Sequence, residues 1–306
     1  SRKFQKWVET TIEKFDPDVI SFMDDIPVNA KKQIKDRRIF LYVQYPLLAQ
    51  EPKVEAPLSY TIGNAKRINY SILTDFADKL LITDPKGYCQ EFLTISTVAL
   101  TALKKIGMGK TPKIIYPYFQ IQSDYTKITG NEKIICSIGT FSRHKNFETL
   151  IRSFACVEYR YWKLLISGYS SDPGYLKFLK RLFAKLNISS RIFFLTNVEK
   201  SKLLEILSKS SIVVHSAMFE PIGRAPLQAT LVGNIPVARK NEYSGVWKDV
   251  LVEGKYRYCF TKEIDLTVTL NRLVESDLNE DRKRAIERSN YFDYSRFSSA
   301  FEEILR

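Results

Sequence analysis

The sequence predicts an α/β protein of Rossmann-like units with parallel sheets, and three observations carry that prediction. Short β-branched or aromatic runs alternate with longer amphipathic stretches over most of the chain, the pattern of repeated βα units. The alternation is cleanest beyond residue 132, where strand and helix segments follow one another without a break. A length of 306 residues, at roughly 100–200 residues per domain, gives about two domains.

In the first part, strands are predicted over 19–22, 39–43, 79–82 and 113–116. A helix is predicted over 96–106, capped by Ser96 and stopped by Gly107. Segment 120–132 is polar, carries Gly130 and has no apolar period, so it reads as a linker. Beyond it, strands are predicted over 133–138, 162–167, 191–195, 212–216 and 235–238. Helices fall over 146–157, 174–186, 200–208 and 226–232, and a helical tail begins near 279. The expected organisation is a first domain over 1–125, a second over 126–290 and a terminal helix over 291–306 that packs back on the first. A doubly wound domain takes its ligand at the carboxyl ends of its strands. The first part is short for such a domain and has no glycine-rich turn near its start. The expectation is a reduced domain or, preferably, a chain without its amino-terminal βα unit.

With 44% apolar and 26% charged residues, a disordered or fibrous chain is excluded. A formal charge of +13 favours anionic partners such as nucleotides, nucleic acid or acidic headgroups, without choosing among them. The apolar runs 95–103 and 211–218 are far shorter than the ~20 residues that span a bilayer, and no leader pattern opens the chain. A soluble, cytoplasmic protein is expected. Cys89, Cys136, Cys156 and Cys259 stand singly, and are expected as buried thiols rather than a disulfide framework or zinc site. His144 and His215 are the only histidines, which excludes a His-rich metal centre, and any metal would need carboxylates.

Two turns carry the chemistry. Gly139-Thr140-Phe141-Ser142-Arg143-His144-Lys145-Asn146 joins a strand to a helix. Glycine permits the sharp turn, the helix start offers unpaired N–H groups, and Arg143 and Lys145 add charge. This is an anion site in outline, and equally a basic solvated loop; Lys145 is the stronger candidate. Phe219-Glu220-Pro221-Ile222-Gly223-Arg224-Ala225-Pro226-Leu227-Gln228 follows a strand that ends near Ser216 and leads into a helix that Pro226 can start from its first turn. A loop that folds back brings Glu220 and Gln228 to one pocket, with amides near Gly223 and Arg224 facing a diphosphate. On chemistry alone the plainer reading has Glu220 capping the helix and Gln228 in solvent. Gly233-Asn234-Ile235-Pro236-Val237 ends the helix and restarts a strand, a structural role.

Together, "ICSIGTFSRHKNFETLIRSFA", "LLISGYSSDPGYLKFLKRLFAKLNISSRIFFLTNV" and "SSIVVHSAMFEPIGRAPLQATLVGNIPVA" resemble the carboxyl-terminal half of retaining family-4 glycosyltransferases of the GT-B fold. Order, spacing and strand context agree over about 133–254, and "YFDYSRFSSAFEEIL" is similar to their last helix. More weakly, "FDPDVISF", "RIFLYVQYPLL" and "KIIYPYFQI" resemble the first half, nearest to mannosyltransferases that extend lipid-linked oligosaccharides. The resemblance implies two Rossmann-like domains facing a cleft. It also implies transfer of a hexose, mannose among the candidates, from a GDP- or UDP-sugar to a lipid-linked or glycan acceptor, with retention and without metal or other cofactor.

By that resemblance Lys145 neutralises the donor diphosphate, Gly139 and Thr140 approach it closely, and Arg143 lies beside it. Ile222, Gly223, Arg224 and Ala225 supply backbone N–H groups, Glu220 contacts the sugar hydroxyls, and Gln228 contacts the ribose. Glu220 and Lys145 are thus the catalytic candidates, with Gln44 and Tyr45 on the acceptor side. Two residues depart from the family pattern. Gln228 stands where members carry the second Glu of a Glu-x7-Glu motif, and it keeps a hydrogen bond without charge assistance. Gln44 stands where the nearest subgroup carries His; it is no general base, but the leaving phosphate itself can take the acceptor's proton. The basic runs 31–38 and 177–185 suit an anionic membrane surface, or are plain solvated helix faces. A degenerate nucleotide- or partner-binding protein of the same fold is the first alternative, and a nucleic-acid-modifying glycosyltransferase the second and least favoured.

Overall fold

A computed structural model describes residues 19–23, 38–43, 91–106, 111–118, 132–170, 172–252 and 258–305. The chain divides into two compact units, Ser1–Tyr116 and Pro117–Arg306, each described by itself. The predicted strand over 79–82, Gly107, Cys89, Gln44, Tyr45 and nearly all of the predicted linker lie outside the described residues.

In the first unit, β1 (Val19–Met23), β2 (Arg38–Val43), β3 (Glu91–Thr94) and β4 (Lys113–Ile114) form a parallel sheet in that order. α1 (Thr97–Ile106) follows β3 directly. Its start is where Ser96 predicts it: Ser96 Oγ accepts from the Ala99 N–H at 3.1 Å, satisfying one of the helix's unpaired donors. Val98, Ala99 and Leu103 face inward, the three-to-four-residue spacing of one helix face. β3 has no counterpart in the sequence reading, because four residues leading straight into a helix are too few to display an alternation.

The second unit alternates β5 (Ile134–Ile138), α2 (Phe147–Ala155), β6 (Lys163–Gly168), α3 (Pro173–Lys185), β7 (Ile192–Thr196), α4 (Lys200–Lys209), β8 (Ile212–His215), α5 (Arg224–Leu231) and β9 (Ile235–Arg239). β10 (Cys259–Phe260), α6 (Glu263–Glu275), α7 (Asn279–Ser289) and α8 (Tyr294–Leu305) complete it. All pairings are parallel, in the order β10-β9-β8-β5-β6-β7. That is the doubly wound order, in which the chain runs outward from β5 to β7 and then returns to lay β8 on the other side of β5. The switch point therefore lies between the carboxyl ends of β5 and β8.

Successive residues of the two central strands face opposite layers. Ile135 and Val214 join the large core formed with Leu150, Phe154, Leu270 and Leu273. Cys136 and Val213 pack instead with Leu207 and Ala229. Each of the valine, leucine, isoleucine and phenylalanine side chains is worth about 1.5–3 kcal/mol on burial, so helices on both faces lock the order of the strands.

Two corrections to the sequence reading arise here. Cys136 is buried, which pushes its thiol up to about 12, but Cys156 is exposed and Cys259 only half-buried. Cys156 caps the end of α2, and its carbonyl accepts from Asn271 Nδ2 at 3.2 Å. The helix α6 was not predicted; its apolar stripe of Leu266, Leu270 and Leu273 is interrupted in sequence by Thr267, Val268 and Thr269, which read as strand.

Candidate functional site

The turns after β5 and β8 are adjacent because their strands are: Ile135 is in register with Ile212 and Cys136 with Val213, and Ser137 Oγ donates to the Val214 carbonyl at 2.7 Å. After β5 the backbone passes Gly139 and Thr140 into a single 3-10 turn, Arg143–Lys145. Asn146, at φ 51°, then swings the chain into α2, a conformation asparagine tolerates better than most residues. The second turn is fastened to the first. Met218 N–H donates to the His144 carbonyl at 2.8 Å, and Ser216 Oγ to the Lys145 carbonyl at 2.8 Å. Arg239 Nε, on β9, donates to the Ser216 carbonyl at 3.1 Å.

This stitching brings Lys145 and Glu220, 75 residues apart, into an ion pair in which Lys145 Nζ donates to Glu220 Oε2. Both side chains are 14% exposed. His215, the last residue of β8 and 5% exposed, places Nε2 at 3.4 Å from the same Oε2. Burial pushes the Glu220 carboxyl up, yet the His215 hydrogen bond and the Lys145 charge outweigh it and hold it well below the ordinary 4.5. Burial pushes His215 below its ordinary 6.5, against the pull of Glu220 and with Lys145 and Arg239 adding to it.

Glu220 does not cap α5, contrary to the plainer reading. The position before α5 is Gly223, at φ 73°, and it offers no side-chain cap. The Glu220 backbone is held as a short parallel bridge to Ser244: its N–H donates to Tyr243 carbonyl at 3.0 Å and its carbonyl accepts from Gly245 at 2.8 Å. Both glycines are required. A Cβ on Gly223 would lie 2.1 Å from Val246 Cγ2, and one on Gly245 only 1.6 Å from the Pro221 oxygen.

The remaining candidates are placed as follows. Gly139 donates its N–H to Ser167 at 3.0 Å and lies along the Lys145 methylenes, while Thr140 is half-buried beside it. Arg143 is exposed, its guanidinium 5.7 Å above the Tyr175 ring, so it does not join the Lys145–Glu220 pair. Ile222 is buried, and Arg224 and Ala225 form the first turn of α5, Arg224 exposed and Ala225 half-buried. Gln228 is half-buried one turn further along α5. Gln44 and Tyr45 lie outside the described residues.

Three contributors are absent from the sequence reading. His215 ends a wholly apolar strand on its carboxyl side, and that position was the available signal. Gly168 ends β6; a Cβ there would sit 1.8 Å from the Gly139 oxygen. Gly245 left no signal, since its partner is 24 positions away. Next to Gly139, a cavity of about 370 Å³ opens at the ends of β5, β6 and β7, lined by Ile138, Ser167, Gly168, Tyr169, Asn197 and Leu203. Ser167 Oγ is buried there without a hydrogen-bond partner among the described residues. No three His, Cys, Asp or Glu side chains among the described residues gather as a metal set, and no described helix is long and apolar enough to cross a membrane.

The acid side of the pH scale tests the pair. A carboxyl whose value is depressed on folding contributes stability above its unfolded value and loses it as pH falls through the folded one. Wild type is therefore expected to lose on the order of 2 kcal/mol between about pH 4.5 and pH 2 on account of Glu220. His215, depressed below 6.5, adds an earlier loss below about pH 6.5. Urea midpoints measured against pH are expected to fall less steeply below pH 4.5 in Glu220→Gln; equal slopes would mean that the pair is not formed.

A doubly wound α/β domain with a cation–carboxylate pair at its switch point defines a protein of the class that binds ligands there. Residues 119–290 match the family described as glycosyl transferases group 1, and the chain belongs to that family. It is 24% identical over 269 residues to the alpha-1,3/1,6-mannosyltransferase of Kluyveromyces lactis, covering 74% of this chain and 50% of the relative. The chain thus spans about half the length of that curated relative. Among solved structures, the sucrose-phosphate synthase of Thermosynechococcus elongatus superposes with a TM-score of 0.76 at 16% identity, over 100% of this chain and 77% of that one. Anabaena HepE in complex with UDP and glucose gives 0.70 at 18%, over 98% and 80%. The fold is GT-B, with a Rossmann-like unit carrying the candidate site.

Proposed function

We propose that the chain moves a hexose, mannose being the first candidate, from a GDP- or UDP-sugar to a lipid-linked or glycan acceptor, retaining the anomeric configuration and using no metal. The observation that carries this is the Lys145–Glu220 pair, largely sequestered at the switch point beside the N-terminus of α5. Breaking the bond between the anomeric carbon and the diphosphate oxygen builds negative charge on the leaving group. Lys145 and the amides of Ile222, Gly223, Arg224 and Ala225 meet that charge where it develops, with Arg143 at the rim. The close approach of Gly139 and Thr140 leaves room for the diphosphate. Glu220 then engages sugar hydroxyls and Gln228 a ribose hydroxyl. The cavity beyond Gly139 suits a nucleobase, with apolar walls and Ser167 Oγ to meet a polar edge.

The acceptor oxygen forms the new bond to the anomeric carbon, and its proton passes to the departing diphosphate; Gln44 and Tyr45 position the acceptor. The name of the curated mannosyltransferase supports mannose as the sugar, and the neighbour solved with UDP and glucose supports a nucleotide-sugar donor. On α3, Lys177, Lys180, Arg181 and Lys185 are all exposed and no acidic residue interrupts them, which supports a peripheral place on the cytoplasmic face of an anionic membrane.

Incubation with GDP-mannose and UDP-glucose in the presence of a chelator tests the donor reading. In the absence of acceptor, water takes the sugar slowly, and GDP or UDP is the measured product. Release from one donor, undiminished by chelation, is expected. No release from either, with no thermal stabilisation by GDP or UDP, would overturn it.

A further inference from the structure

We propose that His215 is a positioning residue for Glu220, holding its carboxylate in the site after a bound diphosphate has drawn Lys145 away. This rests on the donor reading above. The site as folded presents a competition: Lys145 Nζ and His215 Nε2 both address the same oxygen, Oε2. Lys145 makes the intimate contact, and His215 makes a long hydrogen bond at 3.4 Å, longer than the usual N–H···O distance. A diphosphate carries more negative charge than one carboxylate and offers several oxygens, so it displaces Glu220 from Lys145. The carboxylate is then left in a nearly closed site, where an unpartnered charge is costly. His215 is the group already within reach.

The imidazole is suited to this task. It is fixed at the end of β8, in a strand whose residues are buried throughout, so it cannot follow Glu220 into solvent. Lys145 and Arg239, the cations that face it, and its burial all keep it neutral. A neutral ring facing a carboxylate carries its hydrogen on Nε2. Nδ1 is buried without a partner among the described residues, which suits a bare ring nitrogen better than an orphaned N–H. The Nε2–H···Oε2 contact shortens when Lys145 leaves, and Glu220 keeps one oxygen free to accept from sugar hydroxyls.

The test compares His215→Phe, which removes the donor but stays aromatic, with His215→Gln, whose amide N–H reaches the place of Nε2–H. Turnover of GDP-mannose and UDP-glucose, binding of GDP and UDP alone, and melting temperature are measured on each. His215→Phe is expected to lower kcat about 10–100-fold, the worth of one hydrogen bond to a charged group, with affinity for the bare nucleotide within about threefold of wild type. His215→Gln is expected to recover most of the loss. Should His215→Phe fail to fold, His215→Leu carries the same comparison. Wild-type turnover in a variant lacking the donor, or a folded His215→Gln as slow as His215→Phe, overturns the positioning role alone. A wild-type chain that releases no nucleotide from either donor overturns the donor reading, and this role with it.

Discussion

Lys145→Ala is expected to lower nucleotide release from the donor by about 10²–10³-fold, the usual loss on removing one preorganised group that stabilises a leaving anion. Lys145 is the cation the folded chain has brought to the switch point from a different turn than Glu220, with its methylenes laid along Gly139. The variant also deprives a buried carboxylate of its counter-charge. Breaking a buried pair costs about 3–5 kcal/mol; here the loss should be smaller, because 14% of each side chain is exposed and His215 remains. The two effects separate in the double variant Lys145→Ala/Glu220→Gln, which is expected to regain stability and none of the turnover. Near-normal turnover in Lys145→Ala would remove the pair from the active site.

Gly245→Ala is expected to damage both stability and activity. The new methyl would lie 1.6 Å from the Pro221 oxygen and 2.9 Å from the Ile222 Cα. Both are backbone atoms, so no rotamer change relieves the clash. The segment carrying Glu220 and the amides of Ile222, Gly223, Arg224 and Ala225 has to move as a whole. Overpacking of this kind costs about 1–3 kcal/mol, and sometimes more. A melting curve and a nucleotide-release assay check the two consequences together. An unchanged melting temperature would mean that the bridge between Glu220 and Ser244 does not form.

From β5 to β9 the second unit was legible because its strands are mostly apolar runs and the helices between them carry one-sided stripes, so periodicity separates them; the two-residue β10 and the interrupted stripe of α6 gave no such period. β5, β8 and the turns that follow them lie where the sequence predicts. The strand order was not directly written: nothing within residues 212–215 says that they pair with β5 rather than β7. It follows instead from the doubly wound pattern as a whole. Lys145 was legible as a cation after a glycine turn, and Glu220 only ambiguously, since an acid ahead of a helix has capping as its commoner use. What distinguished the two uses was a contact across 75 positions. Such contacts leave no local pattern, and the same is true of Gly168 against Gly139 and Gly245 against Pro221. His215 was passed over because the sequence question asked of it concerned metal ligation, whereas its position at the carboxyl end of β8 places it under the site.

The measurement that bears most directly on the central claim is the melting temperature of wild type and Lys145→Ala with GDP, UDP and ADP added singly. A ligand that binds only the folded state raises its stability by about 2.7 kcal/mol at a concentration 100 times its Kd. One nucleoside diphosphate is expected to stabilise wild type and to leave Lys145→Ala unmoved. The same rise in both proteins, or no rise with any of the three, would contradict a diphosphate site at Lys145.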